Sequence, residues 1–295
     1  VNAQPSLTVV VIVLIGGAAL QRCLASIQRW PVRIVVVGRI PEAAALRTQD
    51  LKVIESDASV PQRRALGAEA VNTEWLSFCE DTCEPKATWW QGFVALRSIA
   101  AHDAWSGPIT IDEGLAPRFA ALAAHEYGEF APARWQRLAT APGASWRPVV
   151  RLAGLNLVYR AAALPRPAPA EGLIETELHE GLRAAERPLA MHGELAVLYH
   201  AADHRGATLR ARFAHGRVYG GGLRQRRPPA ALAMALLRCA ALPAVLFARG
   251  WAGLPRTHRA RPASLGWLAM FACAWSAGEA RGLLTGRGDS LQRWH

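Results

Sequence analysis

Residues 61–85, PQRRALGAEAVNTEWLSFCEDTCEP, decide how this chain is to be read. A polar, helix-compatible run with Arg64 and Gly67 leads into an apolar strand, Trp75 to Phe78. That strand ends in two acids, Glu80 and Asp81, followed by Pro85. An acid pair at the C-terminal tip of a strand sits where open α/β sheets bind ligands, in the crevice beyond the strand ends. Two carboxylates there can hold a divalent cation, which in turn can grip a diphosphate. The same residues also suit a solvated acidic loop.

On the N-terminal side, LTVVVIVL (7–14) is a continuous β-branched run, the mark of a strand buried on both faces of a parallel sheet. Gly16-Gly17 turns the chain, and Leu20, Cys23, Leu24 and Ile27 recur at helical spacing through Trp30. VRIVVV (32–37) and Leu51–Ile54 read as the next two strands, Ala65–Val71 as a helix. Strand–helix–strand alternation at this spacing predicts a doubly wound α/β domain with helices on both faces of its sheet. No Gly-x-Gly-x-x-Gly follows the first strand and no Gly-Lys-Ser/Thr loop occurs, which argues against a dinucleotide oxidoreductase or P-loop NTPase. On the C-terminal side, Trp89–Ala100 reads as a helix and 104–111 as a strand with a Gly-Pro break. Residues 114–150 read as short helices and loops, Leu155–Tyr159 as a strand, Glu175–Ala185 as an amphipathic helix, and Leu195–Tyr199 as a strand ending at His200.

The 295 residues suffice for one large domain plus an appendage, and the net charge of +11 asks for an anionic partner. Arginines cluster late, at 224–227, 249–261 and 281–287, around apolar stretches 230–247 and 263–277. Basic clusters alternating with apolar helices suit an anionic membrane surface; with no zinc finger, RNA-recognition signature or aromatic-basic platform, nucleic acid is not the expected partner. Five scattered cysteines form no zinc set and fit a reducing, cytoplasmic compartment. The run Leu7–Ile15 lacks a basic leader and a cleavage site and is not expected to be a signal peptide.

Several segments, taken in order, resemble inverting glycosyltransferases of family 2, which have the GT-A fold. These are the buried first strand and RCLASI (22–27), Arg64-x-x-Gly67, FCEDTCEP (78–85), GLNLVYRAAAL (154–164), IETELHEGLR (174–183) and VLYH (197–200). The resemblance spans roughly residues 7–222 and implies a GT-A-like mixed sheet in a domain 1–222, followed by a basic, apolar helical hairpin in a tail 223–295. It implies Glu175 as catalytic base and Glu177 as a second acid. Glu80, Asp81 and Thr82 fall on its metal-binding Asp-x-Asp stretch, with His200 near a Mg2+ or Mn2+ ion and the diphosphate. Arg64, Glu80 and Asp81 are expected at the donor, Trp89 and Trp90 are placed to stack on a sugar, and Asn156 is either a buried hydrogen-bonded residue or an acceptor contact. The sequence departs from the family at LIGG (14–17), at GRI (38–40) and at Thr82.

The chemistry asks for the same residue types. Inverting transfer needs a carboxylate to take the acceptor hydroxyl's proton and positive charge to steady the leaving diphosphate. The implied function is transfer of a sugar from a nucleotide-diphosphate sugar to a lipid-linked or glycan acceptor. The rival reading is a catalytically degenerate GT-A-fold scaffold at the membrane; a nucleotidyltransferase is a weaker third. Arg238 and Pro243 interrupt the first apolar stretch and the second is short, so the hairpin is expected to lie in the interface, peripheral or monotopic, on the cytoplasmic face of the inner membrane.

Overall fold

The computed structural model describes residues 6–40, 51–99, 102–137, 145–200 and 208–293. The chain forms two compact units, one from 1–110 with 135–201, the other from 111–134 with 202–295.

In the first unit, strands β1 (Leu7–Ile12), β2 (Arg33–Gly38), β3 (Leu51–Glu55), β4 (Trp75–Glu80), β6 (Ala104–Ser106), β8 (Trp146–Val149), β9 (Asn156–Arg160) and β10 (Leu189–His192) build one sheet, in the order β3-β2-β1-β4-β9-β6-β10-β8. The β1–β4 half is parallel, and β9 enters antiparallel between β4 and β6, so the sheet is mixed. Every residue of LTVVVI is buried, as a strand covered on both faces requires. Val10 lies beside Phe78 and Val11 beside Cys79. Neighbours in parallel register share a face, so these two pairs mark opposite faces. Helix α1 (Gly17–Ile27) places the Cys23 sulfur 3.8 Å from that of Cys79. Helix α2 (Val60–Glu69) sets Gly67 so close to Val10 that a Cβ there would strike its side chain. The two helices therefore cover opposite faces, and the doubly wound reading holds. A second sheet, β5 (Cys83–Pro85), β11 (Val197–Tyr199) and β7 (Ile109–Ile111), stands in the order β5-β11-β7. The single strand expected over 104–111 thus divides at Gly107-Pro108 between the two sheets. Helices α3 (Trp89–Leu96) and α6 (Glu175–Ala184) complete this unit's main elements.

The second unit is helical: α4 (Pro117–Tyr127), α7 (Leu209–Arg226), α8 (Pro229–Arg238), α9 (Leu242–Gly253), α10 (Arg256–Arg259) and α11 (Pro262–Thr285). The short helix α5 (Pro132–Arg137) straddles the division. The boundary expected at 222 falls inside α7, which packs along α11. Gly216 and Gly220 on α7 meet Gly278 and Gly282 on α11. A Cβ at any of the four would run into the opposing backbone, at Trp275, Glu279, Phe213 and Arg217 respectively. Small residues four apart on both helices let the backbones touch, a packing mode open only to glycine at these positions. The apolar stretch 230–247 is broken after Arg238, and α8 and α9 meet at a 63° bend. Among the described residues no single helix is long and apolar enough to cross a membrane; by length and composition only the bent pair qualifies.

Candidate active site

β4 runs two residues further than expected and carries Glu80 as its last residue. Arg64, on α2, reaches this strand end from the side. Its guanidinium is 2% exposed and bridges two acids, with Nη2 3.2 Å from Glu80 Oε1 and Nη1 2.5 Å from Glu175 Oε2. Nη2 also donates to the Gly154 carbonyl at 3.2 Å.

Local structure dictates this meeting. Ser59 precedes α2 and both its N–H and its hydroxyl donate to Gln62 Oε1, closing the first turn as a capping residue does. The Leu173 N–H donates to the Pro61 carbonyl at 2.8 Å, which docks the start of α6 on the start of α2. Gly172 has φ 85° and lies so close to Pro61 and Gln62 that a side chain there would strike their backbone. Glu175, the first residue of α6, is thereby delivered to Arg64. At Gly154 a Cβ would stand 3.1 Å from Glu175 Oε1, so the absent side chain leaves that oxygen its space.

Burial lowers the proton affinity of the Arg64 guanidinium, but the Glu175 and Glu80 charges outweigh it, and its pKa lies above the ordinary arginine value. Below the bridge, Tyr159 on β9 shares a 2.9 Å hydrogen bond with His179 Nε2, one turn after Glu175. Burial pushes His179 down to about 4 and Tyr159 upward, so both are neutral at pH 7.

The expected metal ligands do not assemble. Asp81 accepts backbone N–H groups from Leu14 (2.9 Å), Ile15 (3.0 Å) and Gly16 (2.7 Å), with both carboxylate oxygens engaged. Successive N–H groups converging on one point form an anion-binding nest, and here the chain's own carboxylate fills it. Glu80 is held by Arg64, and the Thr82 hydroxyl is buried beside the Cys83 sulfur at 3.8 Å. His200 does come to the acid loop: its N–H donates to the Thr82 carbonyl and its Nε2 lies 3.0 Å from Glu84 Oε2. Among the described residues no group of three or more His, Cys, Asp or Glu is arranged to hold a metal ion. The donor set at 80–82 with His200 therefore does not fit a Mg2+ or Mn2+ site, which wants several oxygen ligands around one point.

Other expected contacts also resolve into structure. Asn156 accepts from the Trp89 indole N–H at 3.1 Å and donates to the Leu195 carbonyl at 2.7 Å, so its buried amide is satisfied internally. Trp89 is itself 1% exposed and stacks on Trp30 at 5.1 Å. Neither residue can face a donor; of the tryptophan pair only the half-buried Trp90 retains a surface. Glu177 follows Glu175 by two positions, about 200° around the helix. It lines a separate groove of ≈ 410 Å³ with Leu164, Ile174 and Leu182, away from Arg64.

Sequence reasoning missed three parts of this site. His179 and Tyr159 carry no motif, although the i, i+4 spacing of Glu175 and His179 places them on one helix face. Arg63, next to Arg64, donates to the Val13 carbonyl at 2.7 Å and secures the end of β1.

No protein-family model matches the chain, and no curated protein matches it. Among solved structures it is similar to that of GalNAc-T7 with UDP, GalNAc and Mn2+, at 15% identity over 66% of this chain and 43% of that one, with TM-score 0.49. The chain thus spans less than half the length of that protein. It is also similar to S. aureus TarS 1-349, at 12% identity over 90% of this chain and 89% of that one, with TM-score 0.47.

Proposed function

We propose that the first unit is an inverting glycosyltransferase that moves a sugar from a nucleotide-diphosphate sugar to a lipid-linked or glycan acceptor. The observation that carries this reading is the Arg64 bridge, which joins the acid at the end of β4 to the acid that opens α6. Glu175 is the proposed base. Its Oε2 is held by Arg64, its Oε1 faces the space left at Gly154, and its side chain is 17% exposed.

In the transfer, the acceptor oxygen forms a bond to the anomeric carbon as the bond to the diphosphate oxygen breaks. The hydroxyl proton passes to Glu175 and the electron pair leaves with the nucleoside diphosphate. Arg64 Nη1, 2.5 Å from Oε2, fixes the position of the Glu175 carboxylate that receives the proton. Once Glu175 is protonated, Glu80 still balances the guanidinium, so the buried cation is never left alone.

The test has two arms. Nucleotide sugars should raise the melting temperature of the full chain, since a ligand that binds only the native state stabilises it. With the donor so identified, Glu175→Gln should lower turnover by about 10²–10⁴-fold while leaving donor affinity nearly unchanged. Normal turnover in this variant would remove Glu175 from the chemistry. A second reading, a non-catalytic scaffold, is favoured by the engagement of Glu80, Asp81 and Asn156 with the chain itself; it is the outcome if no nucleotide sugar shifts the melt.

A further inference from the structure

The second unit exposes apolar side chains on two consecutive helices. No residue of α8 is buried, and Met234 and Leu237 on it are 51% and 71% exposed. On α9, Ala244, Val245, Ala248 and Trp251 are exposed at helical spacing, while Leu246 and Gly250 on the other side are buried. The outward face of α9 is thus apolar although it lies opposite the face that packs.

The exposed charges on the segment that carries these helices are all positive. Arg226 and Arg227 stand exposed just before α8, Arg238 at its end, and Arg256 and Arg261 beyond α9. No Asp or Glu occurs anywhere between Asp203 and Glu279. An apolar ridge carried on a segment whose exposed charges are all guanidinium groups complements an anionic surface better than a second copy of itself.

We propose that α8 and α9 form an in-plane anchor that inserts into the headgroup layer of an anionic lipid membrane. This does not depend on the transfer chemistry of the first unit. Placement in the plane follows from two features. α8 and α9 are about 15 and 18 Å long, and with a 63° bend between them they make no straight path through a core of about 30 Å. The bend also falls beside Arg238, which a crossing would carry toward the bilayer centre, whereas at the interface its stem can lie among acyl chains with the charge in water. Trp251 suits the same depth.

Co-sedimentation of the full chain with vesicles tests this. Vesicles of phosphatidylcholine containing phosphatidylglycerol should bind at least about tenfold more tightly than phosphatidylcholine alone, and the preference should shrink as salt rises. Leu237→Ser with Val245→Ser should weaken binding to the anionic vesicles by about tenfold, the factor that about 1.4 kcal/mol represents. Arg227→Gln with Arg238→Gln should reduce the lipid preference while leaving the melting temperature unchanged. Three results would overturn the proposal: no vesicle binding by the wild-type chain, equal binding to neutral and anionic vesicles, or unaltered binding in both variants. Self-association that Leu237→Ser with Val245→Ser abolishes, without vesicle binding, would assign the face to a second copy instead. The wild-type arms need no substitution, so a variant that fails to fold leaves the test intact.

Discussion

Arg64→Met removes the cation that bridges Glu80 and Glu175 while keeping most of the side-chain volume. The wild-type guanidinium is 2% exposed and the Glu80 side chain 8%, so the substitution takes the bridging cation away from a carboxylate in the interior. Breaking a buried ion pair by deleting one partner costs about 3–5 kcal/mol, because the stranded charge has already lost its water. Against a typical total of about 5–15 kcal/mol this is a large share. With a urea slope of about 3 kcal/mol/M, the unfolding midpoint should fall by about 1–1.7 M. Glu175→Gln should cost much less, since Glu175 is 17% exposed and Arg64 keeps Glu80 as partner. The cycle is completed by Arg64→Met with Glu80→Gln, in which both charges of the buried pair are gone. We expect the second change to restore about 1–3 kcal/mol of the loss, a coupling energy usual for contacting groups. An Arg64→Met midpoint within about 0.3 M of wild type, or strictly additive effects, would refute the bridge as an energetic unit.

Further outcomes follow from the buried histidines and from the glycines. Unfolded histidine titrates near 6.5, whereas folded His179 waits until about 4 and His125 until about 3. Unfolding therefore takes up protons between these values, and stability present above about pH 6.5 is lost as the pH falls toward the folded values. By pH 5 each should have cost about 2 kcal/mol, and His179→Gln should flatten the pH dependence of the urea midpoint; an unchanged slope would mean that His179 is protonated in the native state. Within α11, Gly282→Ala should destabilise by about 1–3 kcal/mol or more, because its Cβ meets the Arg217 carbonyl. Gly266→Ala in the same helix has open space and should stabilise by about 0.5–1 kcal/mol; melts with the same sign for both would refute the close approach of α7 and α11.

How much of this was legible beforehand depends on the type of signal. β1, β2 and β4 were readable because a strand covered on both faces must be apolar throughout, and runs such as VRIVVV leave few alternatives. The long helix α7 was not, since glycines at 216 and 220–222 argue against a helix by propensity, and their purpose shows only when α11 lies across them. The convergence of residues 64, 80 and 175 was implied by motif order. The partners of the acids were not: a carboxylate in a sequence does not say whether it will meet a cation or, like Asp81, three backbone N–H groups. Trp89 was misplaced toward a sugar, and for Asn156 the buried, hydrogen-bonded alternative is the one found, because polar and aromatic tips look alike whether they close a core or face a ligand.

The interleaving of the two units has a consequence during synthesis. Helix α4 belongs to the helical unit, and its residues Ala120 to Ala124 are all buried. Its packing partners α9 and α11 are made long after it, α11 ending at Thr285. At about 5–20 residues per second, roughly 10–30 s pass between the completion of α4 and that of α11. Strands β8 to β11 emerge within that interval, so the sheet unit can close while α4 remains a tethered apolar loop waiting for its neighbours. A chain stopped at any single point between residue 134 and the start of α11 therefore carries either an unfinished sheet or an α4 lacking a packing partner.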